Sequence, residues 1–134
     1  MDEAYDYLAK ARENLAGAES EFASRRFNSC ARGAYYACFQ AAIAALTHAG
    51  IVSPATEGIL GHDRVQASFV GQLIQRRKLY PARLRRTLTD LLAIRHKADY
   101  RVASVSRREA SLAVRRTQEF LQEIEAHLAR QGET

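Results

Sequence analysis

The sequence predicts an all-α domain, an up-down four-helix bundle with one additional short helix. Three observations carry that reading. Apolar residues recur at intervals of three and four over long stretches. No useful run alternates apolar with polar residues, as a half-buried strand would. The chain has 134 residues, 47% hydrophobic and 26% charged, enough to bury one core. With no long-period repeat and no low-complexity tract, a single domain over residues 1–134 is expected.

Taken in order, Ala4, Leu8, Ala11, Leu15, Ala18 and Phe22 form one apolar stripe on a first helix, with Asp2 placed as N-cap. A second helix runs from about Phe27 to Ala49. It is apolar nearly all round from Ala34 to Leu46, so several sides must be covered. Its alanines, Ala37, Ala41, Ala42, Ala44 and Ala45, allow close neighbours, and Gly50 suits the residue just past its end. A loop follows from Ile51 to about Gly61. A short helix over roughly Arg64 to Gln75 carries Val65, Phe69 and Leu73. A third long helix is expected from near Pro81, buried along Leu84, Leu88 and Leu91/Leu92. Ser106 and Glu109 form a capping box that opens the last helix, in which Ala110, Ala113, Thr117, Leu121, Ile124 and Leu128 share a face. Glu119, Glu123 and Glu125 lie toward its C-terminal half, where the helix dipole disfavours them.

Charge and cysteine usage narrow the function classes. The chain carries +5 overall, but the segment from Arg76 to Arg116 holds thirteen Lys or Arg against three acids. That segment is therefore +10 and the remainder −5. Such asymmetry fits either a solvated Arg-rich helix face or a surface for a polyanion, RNA first. Cys30 and Cys38, eight apart in an Ala-rich run, read as small buried hydrophobes rather than a disulfide framework or a zinc site. No stretch is long and apolar enough for a membrane span, and the acidic opening (Asp2, Glu3, Asp6) is unlike a signal peptide. A reducing, cytoplasmic setting is the expectation.

The residues with chemical potential gather at the end of the third long helix. Continuing its buried stripe brings Arg95 and then Asp99 onto the same face. An Arg facing a core must be paired or line a groove. It therefore serves either as a structural Arg95–Asp99 pair with Tyr100 packed beside it, or as a groove holding phosphate bidentately, with Tyr100 as proton donor or modification site. Tyr35 and Tyr36 are adjacent, so the two rings cannot both face the same side. Both are core, or one hydroxyl reaches the groove, and Arg32, one turn before Tyr36, can share it. His62 lies in a Gly-His-Asp turn and either caps the short helix or serves the groove. His48, His96 and His127 do not complete a metal spacing with it, so no metal and no cofactor are expected. No Ser-His-Asp set, Gly-rich phosphate loop or paired-carboxylate motif is present.

Three motifs in order resemble one family. Asn28-Ser-Cys-Ala-Arg-Gly-Ala-Tyr-Tyr-Ala-Cys-Phe39 is similar to the S-R-A-Y-Y-A-x-F second helix of HEPN-domain proteins, in particular of the bacterial and archaeal branch called UPF0332. Gly61-His-Asp-Arg-Val-Gln-Ala-Ser-Phe69 resembles its S-H-x-x-V-x-x-x-F segment, and Arg95-His-Lys-Ala-Asp-Tyr100 its R-x-x-A-D-Y motif. The resemblance runs from about Ala4 to His127. It implies a helical bundle that dimerises. It also implies metal-independent endoribonuclease or RNA-binding activity, and pairing with a minimal nucleotidyltransferase in a toxin–antitoxin module whose antitoxin adenylylates a Tyr.

By that resemblance Arg95, Asp99 and Tyr100 are the catalytic candidates. Arg32, Tyr36, His62, Lys97 and Arg101 are the expected RNA or nucleotide contacts. The chain departs from the family's Arg-x(4–6)-His pattern: Tyr100, Arg101 and Val102 stand where the His would be. A phenol with an ordinary pKa near 10 is a poor base at neutral pH, so catalysis needs a base from elsewhere, with His96 and His62 of a partner subunit as candidates. The alternatives are a non-catalytic adaptor that binds a nucleotide or the nucleotidyltransferase, and a structural dimerisation domain.

Overall fold

The computed structural model describes residues 2–51 and 61–132, and the expected Ile51–Gly61 loop lies mostly outside them. Among the described residues the chain forms five α-helices and no strand: α1 (Glu3–Ala23), α2 (Phe27–His48), α3 (His62–Ser68), α4 (Thr87–Tyr100) and α5 (Arg107–Gly132). The all-α expectation therefore holds. No described helix is long and apolar enough to cross a membrane.

α2 is the central element, packed against α1, α3, α4 and α5. The reason is its composition. Every residue from Ala41 to Leu46 is buried, because short side chains leave room for neighbours on all sides. The tightest approach is at Gly33, where an added Cβ would lie 3.3 Å from both the Ala18 Cβ and the Asn14 carbonyl of α1. The helix ends follow the expected chemistry. Asp2 accepts from the Ala4 N–H at 2.9 Å. Gly50 adopts φ +77°, its N–H donating to Thr47 and that of Ile51 to Leu46, a Schellman end. Ser106 and Glu109 exchange reciprocal bonds of 2.9 and 3.0 Å.

Two boundaries differ from expectation. The third long helix does not begin near Pro81. A single 3-10 turn (Ala82–Leu84) comes first, and α4 starts at Thr87. Leu84 is still buried, but from that turn, so the apolar spacing ran across a break in the helix. The short helix begins at His62 and passes at Phe69 into a π-helical stretch that ends at Arg76. Phe69 and Leu73 are nonetheless fully buried, with the Phe69 ring 5.0 Å from Phe120.

Packing also explains the misplaced glutamates of α5. Glu119 and Glu123 both bind Arg83 of the α3–α4 connection, and Glu125 binds Arg12 of α1. They fasten neighbouring elements, which offsets an unfavourable dipole position. Both cysteines are buried thiols, as expected. Burial pushes Cys30 up to about 11 and Cys38 up to about 12, far from nucleophilic thiolates at neutral pH. Cys38 donates to the buried Thr117 hydroxyl, which itself donates to the Ala113 carbonyl at 2.7 Å.

The α1–α2 contact has a measurable consequence. Gly33→Val places two methyls against the Asn14 backbone and is expected to destabilise the fold by about 1–3 kcal/mol in urea unfolding. An unchanged midpoint would show that α1 can move aside.

Candidate functional site

One face of α2 carries Arg32, Tyr35 and Tyr36, spaced three and four apart. It meets the α4 face carrying Arg95 and Asp99. The Arg95 guanidinium carbon lies 5.2 Å from the Tyr35 ring centre and 4.9 Å from that of Tyr36. Its Nε donates to Asp99 Oδ2 at 3.2 Å. The other carboxylate oxygen accepts a short bond from Arg32 Nε, and Arg32 Nη2 also reaches the Ala98 carbonyl at 3.3 Å. Arg95 thus rests against two adjoining aromatic rings and one carboxylate, with a single anion shared between two cations. The cleft keeps a net positive charge suited to one further anion.

Asp99 is held below the usual carboxylate range, first by the hydrogen bond from Arg32 and then by Arg95, against an opposing cost of burial. Tyr35 is almost fully buried, and burial pushes its phenol up to about 12 although Arg95 opposes this. Its hydroxyl meets His62 Nδ1 at 2.8 Å. His62 is the first residue of α3, directly after the N-cap Gly61, and its Nδ1 is engaged by the Tyr35 hydroxyl. The imidazole faces the cleft instead of serving the helix end. Burial lowers its pKa, Asp63 raises it, and His96 and Arg95 lower it further, so the ring is neutral at pH 7.

Arg95, Asp99, Arg32, Tyr36 and His62 therefore converge, as the sequence suggested. Tyr100 does not join them. Five residues on from Arg95 it lies about 140° round the helix. It is 76% exposed and stacks edge-on with His96 at 5.7 Å. The phenols beside Arg95 are those of Tyr35 and Tyr36 instead. Lys97 bonds Glu109 at 2.8 Å, and together with His96 and Arg101 it lines a separate open hollow of about 560 Å³. Tyr35 was not singled out by sequence reasoning as a site residue. The expectation that adjacent rings cannot share a side fails here: both lie against the same guanidinium, because the two rings meet edge-on with centres 5.3 Å apart. Asn28 was also missed. Its Oδ1 accepts from the Val105 N–H at 2.8 Å and ties the α4–α5 loop to α2. That loop and the start of α2 border an open hollow of about 380 Å³ next to Arg32, flanked also by Arg25 and Arg26.

Of the basic segment, Arg83, Arg86, Arg95, Lys97 and Arg116 pair with acids, whereas Arg85, Arg101, Arg108 and Arg115 are exposed cations. Among the described residues no cluster of three His, Cys, Asp or Glu could hold a metal ion.

The model of the HEPN domain family matches residues 4–127, nearly the whole chain. No curated protein matches it.

The depressed Asp99 sets the sign of one pH effect. A carboxyl with a lowered folded pKa contributes stability that is complete above the ordinary carboxylate range and is lost as pH falls through the folded value. Thermal melts of Asp99→Asn should therefore show a lower Tm than wild type at neutral pH and a shallower decline below about pH 4. Parallel acid limbs for the two proteins would mean that the two guanidinia do not depend on this carboxylate.

Proposed function

The chain belongs to the HEPN family, and on that premise we propose that it is an RNA-binding, metal-independent endoribonuclease of the toxin-like kind, working as a homodimer and paired with a minimal nucleotidyltransferase. The observation that carries the reading is the Arg95 guanidinium, resting against the adjoining rings of Tyr35 and Tyr36 and aimed by Asp99. A pre-oriented cation in a half-buried cleft stabilises charge developing on a phosphate without first reorganising water. Tyr36, 40% exposed, offers a face on which an unpaired base stacks. Arg32, Lys97, Arg101 and the exposed cations of the basic segment supply contacts to the phosphodiester backbone.

Cleavage without metal proceeds by attack of a ribose 2′-oxygen on its own 3′-phosphorus. The P–O5′ bond breaks, leaving a 2′,3′-cyclic phosphate and a 5′-hydroxyl. A base removes the 2′-OH proton and an acid protonates the leaving oxygen. His62 is the base best supported by geometry, because it is neutral and lies across Tyr35 from Arg95. With Nδ1–H directed to the Tyr35 oxygen, Nε2 is open to accept a proton. Tyr100 stands outside the cleft on an exposed turn, which suits a modification site better than a catalytic acid. The partner would transfer AMP from ATP to its oxygen, with loss of the phenolic proton and release of pyrophosphate.

A second reading has its own support. The outward turn of Tyr100 and the absence of a His at the fifth to seventh positions after Arg95 favour a non-catalytic adaptor that binds a nucleotide or the nucleotidyltransferase through the same cleft.

Incubation with total RNA in EDTA separates the two. The nuclease reading expects cleavage by wild type, loss of about 100-fold or more in Arg95→Ala, and a substantial loss in His62→Ala. Absence of cleavage by both wild type and Arg95→Ala, with RNA retained on the protein, moves the assignment to the adaptor. Either reading expects affinity to fall steeply from low to moderate salt, and a flat salt response would remove the basic segment from the interface.

Co-expression with a minimal nucleotidyltransferase tests the modification. Intact mass should rise by whole AMP units in wild type and stay unchanged in Tyr100→Phe. AMP retained on Tyr100→Phe would move the acceptor elsewhere.

A further inference from the structure

A second polar cluster lies at the far end of α2, about 18 Å along the helix axis from Tyr36. A hollow of about 190 Å³ opens there, and the described residues around it include His48, Arg77, Tyr80, His127 and Gln131. The His48 and His127 rings stand perpendicular with centres 6.1 Å apart, and the Tyr80 ring is 5.0 Å from His127. Tyr80 is 5% exposed and His127 is 7% exposed. The Tyr80 hydroxyl is buried with no hydrogen-bond partner, a costly arrangement unless something fills the hollow and accepts from it.

Among the described residues, the charged groups that act on Tyr80 and His127 are cationic. Arg130 of α5 acts on both Tyr80 and His127, and His48 of α2 acts on His127. Arg77 donates Nη1 to the Ala49 carbonyl at 3.2 Å, which leaves its other N–H groups for the hollow. No carboxylate lines the hollow among the described residues. At the end of α2 the Leu46, Thr47 and Ala49 carbonyls accept from Ile51, Gly50 and Arg77. Two imidazoles without a third His, Cys or carboxylate do not make a metal site.

We propose that this hollow binds a small oxyanion, a free phosphate or a phosphomonoester, held by Arg77, the Tyr80 hydroxyl and the imidazoles of His48 and His127. The site is separate from the Arg95 cleft and does not depend on the function assigned to it. Burial, Arg130 and His48 all keep His127 neutral when the hollow is empty. An anion reverses that preference, so binding takes up a proton and tightens as pH falls.

The test is an NMR titration of the imidazole Cε1–H signals of the full chain with inorganic phosphate, at about pH 6 and about pH 8. Adenosine monophosphate serves as the phosphomonoester arm. Saturable shifts of His48 and His127 are expected, tighter at the lower pH and about tenfold weaker in Arg77→Gln and in Tyr80→Phe, which keeps the ring and the packing. Tighter binding of the nucleotide identifies a phosphomonoester, and equal binding identifies free phosphate. Arg95→Ala should respond as wild type does. The proposal is overturned by a lack of saturation at the lower pH, by undiminished binding in both hollow variants, by saturation with zinc but not phosphate, or by a response that vanishes in Arg95→Ala.

Discussion

The Arg95 guanidinium sits in a half-buried position that it could not hold alone. Removing it from water is costly, and the molecule offsets that cost with the Asp99 carboxylate and the faces of Tyr35 and Tyr36. Each partner is then constrained in turn. Asp99 must also satisfy Arg32, so α4 is fixed in rotation against α2. Tyr35 must bury its ring and still place its hydroxyl on His62, which fixes the start of α3. One charge in a cleft thus links side chains of α2 and α4 and, through Tyr35, of α3, and the contacts that hold it still are those that aim it outward.

The fold allows this because α2 is so thin. Ala31, Ala34, Ala37 and Ala41 let neighbouring helices approach closely, and at Gly33 α1 comes so near that a Cβ would lie 3.3 Å from it. A bulkier α2 would hold α4 further off, and Arg32 could not reach Asp99. Close packing of small residues and the polar cleft are therefore one design rather than a core with a site added to it.

Much of this was legible in the sequence, for physical reasons that differ by element. The stripes of α1 and α5 were readable because a long helix with one buried face repeats its period many times. The caps at Asp2, Gly50 and Ser106–Glu109 were readable because their chemistry is local. The Arg95–Asp99 pair followed from a spacing of four. What escaped depended on distant partners or on broken periods. Leu84 keeps step with Leu88 although a 3-10 turn separates them. The π-helical stretch from Phe69 changes the phase within an apolar run that any period-based reading treats as continuous. The pairing of Glu119 and Glu123 with Arg83 is set by the path of a connection, which no local pattern encodes.

The position five residues beyond Arg95 shows how helix phase constrains chemistry. A side chain at i+4 returns to the face of its predecessor and one at i+5 does not, so Asp99 shares the cleft and Tyr100 leaves it. Replacing Tyr100 by His in this helix would place an imidazole beside His96 on the exposed side, away from the guanidinium. The imidazole nearest the cleft comes from another element, where α3 presents His62 to the Tyr35 hydroxyl. The π-helical stretch begins seven residues after His62 and keeps Phe69 and Leu73 in the core, anchoring the segment whose first residue is that imidazole. Arg95 and the neutral imidazole of His62 are thus linked through Tyr35, whose ring meets the guanidinium and whose hydroxyl meets Nδ1.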